Sequence, residues 1–397
     1  MMFLLLMSAA VDPDVLAERA LAQHPSLEAQ AAQTRSLEAL VPTAGVWMDP
    51  MFSVELSNLP LDSGQLSGHG MAGVQLKVSQ TLPTPGAIPL QESLAGERAH
   101  LAALREQESE LQLRVAVHQA AWGLALLAEL EAITAAHVDA VSELQGSAQA
   151  RYEAGQGGQS ALLRLELLRS RLEDEGFTLQ QRRLALRSEL EALVGPLEGA
   201  MEMPAAALGL PPLPDAAQWE RPALQAWEAQ EALARQQAEL ARVQARPQPT
   251  VWAGYRVRNQ PADGVDLASL GVSMPLPNGS RKKAQGVEQS ALEQAAAASS
   301  QRAALELEIQ AQAQAALARW EAAAERARRF DQELLPQAAL VLETTRGDYA
   351  VGRASFTDLY EAQVALLELE RARAAAVVQT WRQRASLAGA TGLWTEL

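Results

Sequence analysis

Arg151-Tyr152-Glu153-Ala154-Gly155, followed by Ser160-Ala161-Leu162, returns later in the same chain as Asp348-Tyr349-Ala350-Val351-Gly352, followed by Thr357-Asp358-Leu359. The offset is 197 residues, and it also carries His24-Pro25-Ser26-Leu27 onto Arg221-Pro222-Ala223-Leu224. Ser79-Gln80-Thr81-Leu82-Pro83 answers Ser273-Met274-Pro275-Leu276-Pro277 at an offset of 194 residues. One shift with a small indel aligns three separated places, which reads as two tandem copies of one unit. In each copy Tyr-x-x-Gly closes a helical pattern, where glycine ends the helix and permits the chain to reverse.

Working outward from these reversals, residues 90–195 contain no proline, and apolar residues recur at spacings of three and four, as in Leu162, Leu165, Leu168 and Leu172. That spacing predicts a helical hairpin over 90–195 and a second over 280–390, with the second copy breaking near Gly347 and Gly352. A helix from about 91 to 153 is on the order of 95 Å long at 1.5 Å per residue, so it has to pack beside others in a coiled coil or a ring of helices. A shorter helix precedes each strand pair, at about 12–40 and 215–246. The domain reading is therefore a first copy over 11–195, a Pro-rich linker over 196–222, and a second copy over 223–397. Met1 to Ala10 forms a short apolar run ending in small residues, which reads as a secretory signal peptide. An apolar start packed on the protein body is the alternative.

The chain has 397 residues, with 33 Lys and Arg against 48 Asp and Glu and a formal charge of −15. An acidic chain without basic clusters is a poor nucleic-acid binder. With no cysteine there is no disulfide framework, thiolate metal site or catalytic thiol. No apolar run approaches the roughly 20 residues of a membrane helix, which leaves membrane strands open. No Gly-rich phosphate loop, His-Glu-x-x-His or nucleophile elbow points to an enzyme.

Four segments alternate apolar with polar residues, at about 51–58, 71–82, 250–258 and 266–275. Each is close to the roughly 9–11 residues of a tilted membrane strand, with Trp47 where an interfacial anchor would sit. A soluble sheet with one wet face shows the same alternation. Four strands cannot close, and an open edge is not viable in hydrocarbon, so a membrane barrel would have to be shared between subunits. Eight strands leave an interior filled by side chains, whereas three chains give twelve strands and room for a conduit.

Two copies of strand pair plus long hairpin, with Tyr-x-x-Gly at each reversal, resemble the TolC-type outer-membrane efflux factors over nearly the whole chain. The wording Leu335-Pro336-Gln337-Ala338, Tyr349-Ala350-Val351-Gly352-Arg353-Ala354-Ser355-Phe356 and Asp358-Leu359-Tyr360-Glu361-Ala362-Gln363 carries the resemblance. Asp49-Pro50-Met51-Phe52 through Asn58, with Ser79 through Gly86, leans toward the heavy-metal branch typified by CzcC and CusC. The resemblance implies a homotrimer in the outer membrane of a Gram-negative bacterium. Its fold would be mainly α with membrane β, a twelve-stranded β-barrel joined to a periplasmic α-helical tunnel. It implies an exit duct for cargo that includes metal cations, working with a periplasmic adaptor protein and an inner-membrane pump of the RND type, with no cofactor and no nucleic acid. The same architecture serves type I protein secretion, and a soluble coiled-coil structural protein is the reading from another class.

By resemblance, acidic rings just past the second Tyr-x-x-Gly close the periplasmic end. Asp358 and Glu361 stand there as an i,i+3 pair, and an ordinary solvated helix face is the plain alternative. The tips Tyr152, Gly155, Tyr349, Gly352 and Arg353 are the adaptor-docking candidates. Glu55, Lys77, Arg256 and Arg258 fall on the predicted lumen side of the strands. The histidines His24, His69, His100, His118 and His137 show no ligand spacing, and Met48, Met51 and Met71 near the strands read as packing rather than as soft-metal ligands. No metal site is expected.

Overall fold

A computed structural model describes residues 12–59, 61, 72–155, 157–197, 210–211, 219–258, 266–276 and 279–394. The signal-peptide reading, His69, Met71 and most of the Pro-rich segment lie outside the described residues.

The chain opens with two helices where one is expected over 12–40: α1 (Pro13–Gln23) and α2 (Pro25–Leu40). Pro25 has no N–H and pushes the preceding residue out of the helical region, and His24 accordingly sits at φ −73° and ψ 123°. Strands β1 (Met51–Ser57) and β2 (Gly73–Thr81) follow, then α3 (Ala87–Glu153) and α4 (Gln159–Val194). The second copy supplies α5 (Pro222–Gln244), β3 (Thr250–Arg258), β4 (Leu267–Ser273), α6 (Ser280–Arg329), α7 (Leu335–Ala350) and α8 (Phe356–Thr391). Between α6 and α7 the helix widens into a π turn over Phe330–Leu334. Pro336 lies just beyond, where its missing N–H and its ring disfavour a regular i→i−4 ladder. Gly347 stays inside α7, so the second reversal falls wholly at 351–355.

The residues gather into two compact units that cut across the sequence repeats. One comprises 1–29, 107–222 and 305–397, and the other 30–106 and 223–304. In the first, α1, α3, α4 and α8 bury Leu16, Val117, Trp122, Leu190, Val378 and Trp381 in one core. The Trp122 and Trp381 rings stack with centroids 4.5 Å apart. Burying each such side chain contributes about 1.5–3 kcal/mol. At Gly389 of α8 an added Cβ would meet Val115 Cγ2 at 2.6 Å, so glycine is what lets α8 approach α3 there. A second cluster joins Val141 and Leu144 of α3 to Leu165, Leu168 and Leu172 of α4 and to Tyr349 and Leu359. Helix α4 carries a further apolar stripe, Leu163, Leu167, Phe177 and Leu184, all exposed. At 100° per residue these four fall within one arc, on the side opposite Leu165, Leu168 and Leu172.

In the second unit the four strands form one antiparallel sheet in the order β1-β2-β3-β4. The central pairing joins the strand of one copy to the strand of the other, with Lys77 opposite Gly254 and Leu76 opposite Tyr255. Leu94, Leu101 and Leu104 of α3 pack with Ala229 and Leu233 of α5.

Candidate functional site

The helix reversals come first. At the first, the Gly155 N–H donates to the Tyr152 carbonyl at 3.0 Å. At the second, Gly352 N–H donates to Tyr349 O at 3.1 Å and Arg353 N–H to Asp348 O at 2.8 Å. Gly155 at φ +72° and Gly352 at φ +77° take the left-handed conformation that an L side chain resists. Ser355 then caps α8. Its hydroxyl accepts from the Asp358 N–H at 3.2 Å, and the Ser355 N–H donates to Asp358 Oδ2 at 2.9 Å.

This capping box gives Asp358 a structural task that sequence reasoning missed, although Ser-x-x-Asp ahead of an apolar helix is its signal. Hydrogen bonds from the Ser355 side chain and then its backbone hold the Asp358 carboxyl below the usual carboxylate range. Glu361 lies on the same exposed face one turn on. At the equivalent offsets in the first copy, Ala161 is buried and Arg164 exposed.

The two reversals touch each other. The Arg151 guanidinium lies 4.5 Å over the Tyr349 ring and donates to the Tyr349 carbonyl. Arg346 pairs with Glu143 at 2.8 Å, tying α7 to α3. Tyr349 is therefore a packing residue, 8% exposed, whereas Tyr152 is 43% exposed. Arg353 is exposed and pairs with Asp348 at 2.8 Å. Of the tip residues singled out in the sequence, Tyr152 and Arg353 present side chains outward and Tyr349 does not. Arg151 was not singled out. The clue lay in the repeat, which sets Arg151 against Asp348 at equivalent positions.

The histidines are dispersed. His137 of α3 is buried, with Nε2 2.7 Å from Glu370 Oε2 and Nδ1 2.8 Å from Gln363 Nε2 of α8. His118 is 2% exposed, 3.1 Å from Asp14 Oδ1 and edge-on to Trp394 at 4.5 Å. Burial pushes its pKa down to about 4, against the pull of Asp14. His100 is exposed, as are Met48 and Met51. Among the described residues no group of three or more His, Cys, Asp or Glu is placed to hold a metal ion.

In the sheet, register sorts every strand residue onto one of two faces. One face carries Phe52, Val54 and Leu56, then Val74, Leu76 and Val78, then Val251, Ala253, Tyr255 and Val257, and finally Ala268, Leu270 and Val272. The other carries Ser53, Glu55, Gln75, Lys77, Trp252, Arg256, Arg258 and Ser269. Glu55, Lys77, Arg256 and Arg258 thus share one face, as the alternation predicts.

Exposure is the reverse of a soluble sheet. Phe52, Val54, Leu270 and Val272 are 62%, 60%, 85% and 69% exposed, while Lys77, Arg256 and Arg258 are half-buried. The polar side chains cover one another. Arg256 donates to Gln75 Oε1 at 2.8 Å, and the Lys77 ammonium sits 4.7 Å over the Trp252 ring. Trp252 lies flat across β4 at Gly271, where an added Cβ would be 2.3 Å from the indole. Among the described residues β1 and β4 are the edges of the sheet. No helix is long and apolar enough to cross a membrane, among the described residues.

This fold, with long helical hairpins and a small sheet, is similar to that of solved outer-membrane channels. VceC from Vibrio cholerae is similar at a TM-score of 0.78 and 18% identity, over 96% of each chain. CusC is similar at 0.75 and 15%, over 96% of this chain and 91% of that one. CmeC from Campylobacter jejuni is similar at 0.76 and 12%, over 96% and 85%. Residues 213–393 match the family model described as outer membrane efflux protein. The match to that family model is confined to the second copy, while the likeness of fold runs through both copies. No curated protein sequence matches significantly. At 15% identity CusC is no nearer than VceC at 18%, so the fold does not single out the heavy-metal branch.

Proposed function

We propose that three copies of this chain form an exit duct in the outer membrane, the outer part of a tripartite efflux system. The observation that carries this reading is the inverted sheet. An apolar face left bare among the described residues, behind a polar face that is half-covered, suits lipid outside and water inside. A soluble sheet would bury the first face and expose the second.

Closure follows from the edges. In hydrocarbon the unpaired N–H and C=O groups of β1 and β4 each need a partner. A β1 edge meeting the β4 edge of the next copy satisfies both. Three copies give twelve strands, wide enough for a conduit. The bare stripe of α4, together with Leu340 and Val341 of α7, is 52–70% exposed, and gives the helices a second surface on which a neighbouring copy can pack. The helices then line a periplasmic tunnel.

At its far end, Tyr152, Gly155, Gly352 and Arg353 form the tips that meet a periplasmic adaptor and, through it, an inner-membrane pump of the RND type. Asp358 and Glu361 turn two rings of carboxylates to the tunnel axis as the gate. Rings of like charge repel, so the closed state depends on neighbouring contacts such as the Arg151 clamp. The family is one of efflux proteins, and the chain performs no catalysis in this reading. Cargo choice lies with the pump in this reading.

Fractionation of expressing cells, with gel mobility before and after heating and mass in detergent, tests the proposal. An outer-membrane species of three chains that dissociates on heating is expected. A monomer soluble without detergent would refute it.

A further inference from the structure

The polar face of the sheet is charged in one direction. Register puts Lys77, Arg256 and Arg258 on it, against the single carboxylate of Glu55. On the opposite face Asp266, just before β4, takes the Tyr255 hydroxyl at 2.6 Å, and the paired strand residues there include no Asp, Glu, Lys or Arg. The whole chain carries a formal charge of −15, so this basic excess runs against the average of the molecule.

The cations are also held in place. Gln75, on the strand between Glu55 and Arg256, takes the Arg256 guanidinium at 2.8 Å. Trp252 carries the Lys77 ammonium on its ring at 4.7 Å, in the space that Gly271 leaves. A neutral amide and an aromatic face fix Arg256 and Lys77 without neutralising them, and the Arg258 N–H donates to Asp266 Oδ1 at 3.1 Å.

We infer that Lys77, Arg256 and Arg258 form a basic collar in the membrane end of the duct that favours anionic solutes over cations. The inference rests on the duct reading above. Three copies repeat the collar around one axis, inside walls whose outer side is lipid. Like-signed charges on a low-dielectric wall focus their field into the water between them and raise the local concentration of counter-ions.

Reversal potentials of purified trimers in planar bilayers under a potassium chloride gradient test this. Replacing the three cations by glutamine (K77Q/R256Q/R258Q) is expected to lower the chloride-to-potassium permeability ratio about tenfold. The charge-conserving K77R/R256K/R258K is expected to leave it unchanged. A ratio unmoved by K77Q/R256Q/R258Q, or moved as much by the charge-conserving variant, overturns the collar while leaving the duct intact. If K77Q/R256Q/R258Q does not assemble, Arg256→Gln alone is read, with a smaller shift in the same direction expected and no shift overturning the collar. Wild-type protein that forms no conducting pores would overturn the duct reading itself.

Discussion

Replacing Leu270 by arginine separates a membrane barrel from a soluble sheet. Leu270 is the middle residue of β4, paired with Ala253 on the apolar face, and 85% exposed in the chain. If that face meets water, Leu270→Arg exchanges one exposed side chain for a better solvated one, and stability should move within about ±0.5 kcal/mol. If it meets lipid, mid-strand is where arginine is most costly, about 2–4 kcal/mol per chain. At 1.4 kcal/mol per tenfold, that is roughly a 30- to 1,000-fold loss in the insertion equilibrium. Ser269→Arg is the control, one residue away on the polar face. Both proteins are refolded from urea into lipid vesicles, and heat-resistant trimer is measured against denaturant. Loss of trimer for Leu270→Arg with near-normal assembly for Ser269→Arg is expected. Equal assembly of the two would refute the assignment of the faces.

Other consequences can be read from single residues. Between pH 6.5 and about 4 the unfolded chain protonates His118 while the folded chain resists it. Stability should therefore fall as the pH drops through that window, by up to about 3 kcal/mol, and His118→Gln should remove this component from urea midpoints taken at pH 7, 5 and 4. Arg151→Ala removes the ring and carbonyl contacts to Tyr349, a local loss of about 1–3 kcal/mol. Hydrogen exchange should quicken over 348–359, while amides around Trp122 and Trp381 keep their protection. Ser355→Ala removes the α8 cap at about 1 kcal/mol, and the Asp358 carboxyl should titrate higher, toward its ordinary range, in a carbon-detected NMR titration.

The sequence resolved whatever depends on period. Alternation in the strands set Glu55, Lys77, Arg256 and Arg258 on one side, and the register puts them on one face of the sheet, whose place in a lumen belongs to the proposal. Three-and-four spacing located both hairpins to within a few residues, because a long helix repeats its signal many times. Events that happen once were harder. The break at His24-Pro25 and the π turn ahead of Pro336 each hang on one proline within an otherwise helical pattern. The clamp of Arg151 on Tyr349 joins residues 198 positions apart, and no local pattern announces such a pair. Tyr349 shows the cost of reading a motif as a surface. The same Tyr-x-x-Gly that leaves Tyr152 outward buries Tyr349, where Phe356 packs edge-on to the ring and Arg151 lies over it.

The two units pose one physical problem in different forms. In the helical unit, α4 buries Leu165, Leu168 and Leu172 and leaves Leu163, Leu167, Phe177 and Leu184 bare on the opposite side. A helix with apolar stripes on two sides is built to stand between neighbours on both, and the described residues cover only one of them. In the sheet, among the described residues, β1 and β4 each have one hydrogen-bonded neighbour and one open edge, and the apolar face has no cover. Either feature alone has a cheap solution. A second chain could bury the helix stripe, and a loop or helix could shield a sheet edge. Together they are more restrictive. A partner that closes both edges by strand pairing must itself present a β1 edge and a β4 edge, and that partner is another copy. Closure by pairing still leaves the outer face apolar, so the partner there has to be lipid. On the duct reading, self-association and membrane insertion are thus a single requirement of this sheet, and an assembled trimer free of lipid and detergent is the state that would overturn it.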